Sequence, residues 1–546
     1  MLDDWEMVPL VAHAHTGGLT FHDLFEQQQE ARTFFPKLLF IVLAMGRHWD
    51  SRVEMMLSVL ICCLTAAGLY RLGTKTGLAG WWGAIAFLLG VLLIFSPAQH
   101  ELWLLASGFP SFVPALCVVW GLCVVRSEFS IAAKFWLCAG LALFASFTLS
   151  NGLLVWGFTF PVLLITRNEP RWKRWLLFWI LATAACAAVY FWNYRGPHDL
   201  PPFAPRKPLL EYWCYLAAFL GSGLGGSGTE NPLRVSIGVG TALLLGYGAG
   251  LAHFIFRCRD RDYCARVVPW IALGAYSIGS GCLAALGRIE WGVAQALESR
   301  YIAFSLYLAI AIIALAALYA REFLRPERPK QRLAVLAVVV LLFAGCLMLQ
   351  ILSATASLPF FAIRSAAARL GQSGVLFCLA FDTSSTIQAG NYPRPLFVQE
   401  NANVLDRLHL LRTPLVRVRE LNKLRHAGAE EGPTSGWCDG LTTASNGARI
   451  AWGWAVLTAR RRPADAVLLA YADLRGEWIA FALSDAVTQR PDVAATPGRR
   501  EQLWSGWRAV FAPGATPAGA EISAWAVDAR EAKLYRLKTA EPIFNR

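Results

Sequence analysis

Apolar and polar positions divide the chain into two parts. Across residues 53–352, long apolar runs alternate with short polar loops; beyond 352 no long run remains, and short mixed segments lie between turn-rich stretches. About 20 mostly apolar residues, within a range of about 17–25, are needed for a helix to cross the hydrocarbon of a bilayer. Ten runs meet or approach that length: 53–70, 80–96, 109–125, 131–149, 152–166, 175–193, 235–256, 267–286, 301–320 and 333–352. Only Ser150-Asn151-Gly152, a tight-turn signal, joins the fourth to the fifth, so these two form a helical hairpin whose second arm is short. The pattern predicts a polytopic α-helical membrane domain of about ten transmembrane helices over 53–352.

Residues 209–224 are also apolar, but Gly-rich, ending in Gly221-Ser222-Gly223-Leu224-Gly225-Gly226. Charge decides how to read them. Lys and Arg concentrate in short cytoplasmic loops. If 209–224 does not cross, one set of loops carries seventeen basic residues: Arg71, Lys75, Arg126, Lys134, Arg167, Arg171, Lys173, Arg174, Arg257, Arg259, Arg261, Arg266, Arg321, Arg325, Arg328, Lys330 and Arg332. The opposite short loops carry six: Arg195, Arg206, Lys207, Arg234, Arg288 and Arg300. A crossing at 209–224 would turn the two most basic late loops outward. The segment is therefore expected to be re-entrant or interfacial, with residue 1 and residues 353–546 outside the cytoplasm.

Residues 1–52 then form an outer loop. Leu19, Phe21, Leu24, Phe25 and Gln28 recur at roughly helical spacing up to Arg32, and Pro36 opens a second run, Leu38 to Met45. Eight helical residues reach only about 12 Å at 1.5 Å each. Two short interfacial helices are expected here. A polar outer start needs a route across the membrane, and the simplest is a further helix upstream of Met1, giving eleven spans with a cytoplasmic N-terminus.

After residue 352, a connecting α/β region is expected over 353–431, with helices Phe361 to Leu370 and Val398 to Leu411 and a strand Gly374 to Phe381. From 432 to 546 short strands dominate: 449–456, 465–471, 477–483, 521–527 and 533–537, separated by stretches such as Ala512-Pro513-Gly514-Ala515-Thr516-Pro517. This pattern predicts a soluble α+β region closing in an antiparallel, sandwich-like β domain. Trp437, Trp452, Trp454, Trp478, Trp504, Trp507 and Trp525 fall in it. Such side chains usually fill cores, and a minority stack on sugar rings.

Composition agrees with this division. Of 546 residues, 56% are hydrophobic and 16% charged, and the mean hydropathy is +0.44. Soluble chains carry about 25% charged residues. The formal charge of +13 lies in clusters between apolar runs, with no basic stripe interleaved with aromatics, so a nucleic-acid partner is excluded. Eight of the thirteen cysteines (Cys62, Cys63, Cys117, Cys123, Cys138, Cys186, Cys282 and Cys346) lie in apolar runs and act as small apolar side chains. Cys258 and Cys264 lack zinc-like spacing. Cys378 and Cys438 either pair or are two unrelated thiols.

Several local features then converge. Asp3-Asp4 stands where a first outer loop would leave a first helix; two interfacial segments follow; Ser299-Arg300-Tyr301 sits at the outer mouth of a late span; and a soluble outer domain closes the chain. In this layout the chain resembles the GT-C superfamily of membrane glycosyltransferases, which use polyprenyl-phosphate-linked sugars. The likeness covers residues 1–352. It departs from the family in the absent first helix and in lacking any mark of the sugar used. The resemblance implies a carboxylate early in the outer loop that activates an acceptor hydroxyl, and positive charge for the leaving phosphate. It assigns the base to Asp4, beside Trp5, or to Asp3, with Glu6 in reserve. Donor contacts fall to Arg32 in Glu30-Ala31-Arg32 and to Arg300, Tyr301 and Arg288. Glu101, in Ser96-Pro97-Ala98-Gln99-His100-Glu101, is a second acidic candidate. Each has a plainer reading: solvated tail, interfacial charge, headgroup-seeking Arg, surface turn. Glu54 either faces the cavity or caps its helix.

No residue set is assigned as metal ligands. The His13-x-His15 pair is a weak metal signal, although some members of the superfamily use a divalent metal. The partners implied are membrane lipid, a polyprenyl-phosphate sugar as donor and a glycan or lipid acceptor, at the inner membrane of a cell with the C-terminal domain extracytoplasmic. Two other readings compete: a transporter or lipid flippase, against which stand the few charges within the runs and the lack of a repeat, and a non-catalytic anchor presenting the C-terminal domain.

Overall fold

The computed structural model describes residues 2–166, 171–195, 207–225, 229–323, 329–423, 435–495, 502–539 and 543–544. These fall into two compact units. Thr20–Leu39 and Ser51–Pro359 form a helical unit, and Met1–Leu19, Phe40–Asp50 and Phe360–Arg546 form the other.

Eight helices of the described chain are long and apolar enough to cross a membrane: Arg52–Thr76, Gly80–Trp103, Ala106–Val125, Trp172–Tyr190, Pro232–Arg257, Arg261–Trp291, Ser299–Arg321 and Val335–Leu376. The protein is thus a multi-pass membrane protein by helix length and hydropathy. The remaining two of the ten expected runs are the shorter Ile131–Ser146 and Ser150–Leu163. Their turn is tight: a Cβ on Gly152 would lie 1.9 Å from the Ala145 carbonyl oxygen, so only glycine fits. The second arm is short because it is broken. Val155–Phe158 and Phe160–Thr166 are separate helices on either side of Thr159, where Pro161 removes a backbone donor.

Four of the five basic loops meet at one end of this unit. Arg126 Nη2 donates to the Lys75 carbonyl at 3.4 Å, Arg321 donates to the Gly77 carbonyl, and Gly77 lies against Arg266. Lys134, buried, folds back to the C-terminal carbonyl of Val125 at 2.9 Å, where a helix end favours a cation.

Residues 209–225 form one unbroken helix, Leu209–Gly225, about 25 Å long at 1.5 Å per residue. It packs against Pro232–Arg257 through small residues. A Cβ on Gly240 would sit 1.8 Å from Ala217 O, and one on Gly221 2.0 Å from Ser236 O. The Ala217-x3-Gly221-x3-Gly225 and Ser236-x3-Gly240 spacings let the two backbones touch, as small-x3-small pairs do in membranes. In its second half, Phe219 meets Tyr301 and Gly223 faces Ile302 and Ser305. This half therefore lies beside the end of the Ile302–Phe323 helix away from the basic loops.

The expected helix over Leu19–Arg32 forms only as Phe21–Phe25, opened by a Thr20/Asp23 capping box. Beyond it, Gln28 and Ala31 bridge antiparallel around Gln29, whose φ is +51°. The second expected helix is longer than the run Leu38–Met45. It spans Phe34–Arg47, because Pro36 lies in the first turn, where a missing donor costs little. Residues 1–52 are therefore not one loop: 20–39 belong to the helical unit, the rest of 1–50 to the other.

In the second unit the expected helix 361–370 is the continuation of one 48-residue helix, Pro329–Leu376, and the expected strand 374–381 is the end of that helix plus a turn. The run Gly374 to Phe381 is apolar without a period, the case in which helix and strand look alike. The later helix spans Pro395–Arg407. The boundary expected at 431/432 lies outside the described residues.

Among the described residues eleven strands follow: β1 (Ser435–Thr443), β2 (Arg449–Leu457), β3 (Arg462–Pro463), β4 (Ala466–Ala472), β5 (Trp478–Leu483), β6 (Ala486–Thr488), β7 (Gly506–Phe511), β8 (Glu521–Asp528), β9 (Lys533–Arg536), β10 (Lys538–Thr539) and β11 (Ile543–Phe544). They form two sheets, one ordered β10-β1-β2-β7-β6 with β3 on β2, the other β11-β8-β4-β5 with β9 on β8. All pairs are antiparallel except β1 with β10. Between the sheets lie Ala451, Ala455, Leu469, Trp507, Phe511 and Ala524. Leu370, Leu376, Phe377 and Phe381 cover the other face of the second sheet, against Leu468, Ala480 and Trp525. An ion network pins this layer: buried Asp465 accepts from Arg462 Nη2 at 3.1 Å and the Ala529 amide at 2.9 Å, with Arg369 Nε at 3.6 Å. Cys378 and Cys438 do not pair. Cys438 lies in the core between the sheets, whereas Cys378 lies in the layer over the far face of the second. Burial pushes the two thiols up to about 12 and about 11, respectively.

Candidate functional site

The end of the helical unit opposite the basic loops gathers polar side chains from four stretches of sequence. Arg288 closes the Arg261–Arg288 helix; its Nη2 donates to Glu30 Oε2 at 2.5 Å, and its guanidinium lies 4.6 Å from the Trp291 ring centroid. The phenols of Tyr190 and Tyr194 each donate to the Glu30 carbonyl at 3.3 Å. Burial, then the Glu30 charge, pushes the Tyr194 phenol up from its ordinary value. Arg300 stacks on Tyr301 at 5.5 Å, and Gln295 Nε2 reaches the Tyr301 hydroxyl at 3.5 Å. Tyr215, fully buried, lies within electrostatic reach of Tyr301, Arg288 and Arg300. Arg288, Arg300 and Tyr301, from one short loop, thus join Glu30, Tyr190, Tyr194 and Tyr215 in one cluster.

Glu101 joins it through Ser299. The Glu101 amide donates to Ser299 Oγ at 3.3 Å, and Ser299 Oγ donates to the Ala98 carbonyl at 2.7 Å, with His100 Nδ1 at 3.4 Å. The short His100–Trp103 helix and the Ser299–Tyr301 turn are locked together, which holds Arg300 in place.

Arg32 takes a different part. It is buried, 4% exposed, and its guanidinium donates to three backbone carbonyls: Tyr190 at 2.5 Å, Phe25 at 2.8 Å and Trp192. Lys37 does likewise, with Nζ donating to Glu26 O at 2.7 Å and Asp23 O at 3.0 Å, and burial lowers its pKa. These two cations hold the 21–32 segment in place, and the geometry makes Arg32 a bracing residue. The Arg of this stretch drew attention in the sequence; its neighbour Glu30 makes the ion pair.

Asp3 and Asp4 belong to the other unit, in the Leu2–Glu6 helix. The side chain of Asp3 lies outside the described residues. Trp5 is buried, 6.3 Å edge-on from Tyr392 and 6.2 Å from Trp49. Burial, with the nearby charge of Asp4, pushes the Tyr392 phenol up to about 12. Trp5 therefore anchors the short helix that carries Asp4. Glu54 is buried in the first turn of the Arg52–Thr76 helix. Among the described residues no group of three or more His, Cys, Asp or Glu is placed to hold a metal ion.

Sequence reasoning did not single out Tyr190, Tyr194, Tyr215, Trp291 or Gln295. A signal existed for the first two: Tyr190-Phe191-Trp192-Asn193-Tyr194 is an aromatic cluster at a span end, as membrane interfaces favour. Compared with known proteins, the chain matches no family model, no curated protein and no solved structure.

Proposed function

We propose that the protein is an integral membrane glycosyltransferase that moves a sugar from a polyprenyl-phosphate donor to a glycan or lipid acceptor. The observation that carries this reading is the joining of Arg288, Arg300, Tyr215 and Tyr301 in one cluster, at the helix ends opposite the basic loops. Basic loops favour the cytoplasm. The cluster then faces the outer side of the inner membrane, with the β domain extracytoplasmic.

In this reading the acceptor hydroxyl gives its proton to a general base, the role that the family resemblance assigns to Asp4 or Asp3, and its oxygen attacks the anomeric carbon. The bond from that carbon to the phosphate oxygen breaks, and the phosphate leaves with the electron pair. Arg288 and Arg300 offer forked donors to the phosphate as its charge grows, and the phenols of Tyr215 and Tyr301 add neutral donors. A headgroup phosphate would compete with Glu30 for Arg288. Arg32, through its three carbonyls, keeps the Tyr190–Trp192 stretch beside Glu30.

Transfer of labelled sugar from polyprenyl phosphate in membranes tests this, comparing the natural chain with Asp3→Asn and Asp4→Asn at equal expression. The reading expects one variant to lose activity by about 100-fold or more, the scale of a general base. Full activity in both variants removes the pair from the mechanism.

A further inference from the structure

Five tryptophans of the β domain separate into two groups. Trp507 and Trp525 are buried in cores. Trp437, Trp452 and Trp454 point the other way, from the outer face of the six-stranded sheet, and belong to neither core. Their register places them side by side: Trp437 opposes Trp454, Trp452 opposes Gly440 on one side and Arg508 on the other, and Trp454 opposes Gly506.

Glycine shapes this face. A Cβ on Gly440 would lie 3.1 Å from Trp452 Cζ2 and 3.2 Å from Cη2, so the indole lies flat across the neighbouring strand rather than standing upright. Trp452 is 38% exposed, so part of the ring is open to a ligand. Polar pairs flank the plate. A bulge between Cys438 and Gly440 sets off Asp439, which accepts from Arg490 Nη1 at 2.6 Å. Arg490 crosses the sheet over Gly506 to reach it. On the far side Arg508 lies 3.8 Å from Asp485.

We propose that this face binds a glycan, with a pyranose ring stacked on Trp452 and its hydroxyls held by the Asp439–Arg490 and Asp485–Arg508 pairs. A pyranose has a C–H face that suits the negative face of an indole. Its edge carries hydroxyls that both donate and accept, which a carboxylate beside a guanidinium satisfies together. Arg490 also donates its Nε at 2.9 Å and its Nη2 at 2.7 Å to Asp492, so three carboxylates stand beside two guanidiniums, and the rim favours a neutral polar ring over an anion. The proposal stands apart from the transferase reading and survives its failure.

The test uses the full chain in detergent on an array of oligosaccharides that spans neutral hexoses, amino sugars and uronic acids. The tightest-bound oligosaccharide is then titrated against Trp452→Ala, Trp452→Phe and Arg508→Gln. Trp452→Ala is expected to weaken binding about tenfold or more and Trp452→Phe to retain most of it, both with the unfolding midpoint unchanged, and Arg508→Gln to weaken it several-fold. Absence of binding to every glycan, or equal binding by Trp452→Ala, overturns the proposal. So does Trp452-dependent binding to phosphatidylglycerol vesicles without glycan binding, which would make this face a membrane seat.

Discussion

At the residue scale, the contrast between Arg32 and Arg288 is the sharpest. Both are arginines near the same loop end, but Arg32 spends its donors on three carbonyls while Arg288 meets one carboxylate. Arg32→Ala should therefore lower the melting temperature of the detergent-solubilised protein strongly, by a cost of about 3–5 kcal/mol, because three buried carbonyls lose a charged donor. Arg288→Ala should leave the melting temperature nearly unchanged. Asp485 gives a pH-dependent case. Burial raises its pKa above the ordinary aspartate value despite Arg508. A carboxyl with a raised folded pKa carries no penalty at low pH, and the penalty grows as pH climbs from about 4 through the folded value. Asp485→Asn should thus match the natural chain in acid and melt higher at neutral pH, as thermal scans across pH would show. The sequence marked Asp4, Arg288, Arg300 and Tyr301 by position alone. It was silent on Glu30 as the partner of Arg288 and on Tyr215, because those contacts join residues 73 or more apart, and no local pattern encodes them.

At the element scale, the long helices were legible because hydropathy over about 20 residues is a strong signal. The C-terminal strands read from alternation were found nearly in place, 449–456 as β2 and 477–483 as β5. β1 and β7 were missed: Ser435–Thr443 holds two glycines and an aspartate, and Gly506–Phe511 is short. The helix Leu209–Gly225 shows how small residues act as structure. Gly240→Leu should separate it from Pro232–Arg257, since its side chain would have to start 1.8 Å from a carbonyl oxygen. A loss of at least about 3 kcal/mol, or failure to accumulate in membranes, is expected. Gly238→Ala, which meets open space, should be neutral or slightly stabilising. Thermal unfolding of the two variants side by side checks this.

At the scale of the molecule, loops grouped by charge also meet in space, at Lys75, Gly77, Arg126, Arg266 and Arg321. The proposed sidedness rests on the charge rule, and it predicts a labelling pattern. In a cysteine-free background, Asn446→Cys in the β1–β2 turn should react with a membrane-impermeant maleimide in cells with a permeabilised outer layer. Arg259→Cys should react only after the membrane is broken. The central claim remains chemical: the Arg288–Arg300 cluster receives the phosphate of a lipid-linked sugar. Its most direct test is sugar transfer from polyprenyl phosphate by the purified natural chain, Arg288→Ala and Arg300→Ala in lipid nanodiscs. The account predicts transfer by the natural chain and a loss of about 100-fold or more in each variant, at an unchanged melting temperature. Transfer at the natural rate by both variants would contradict it.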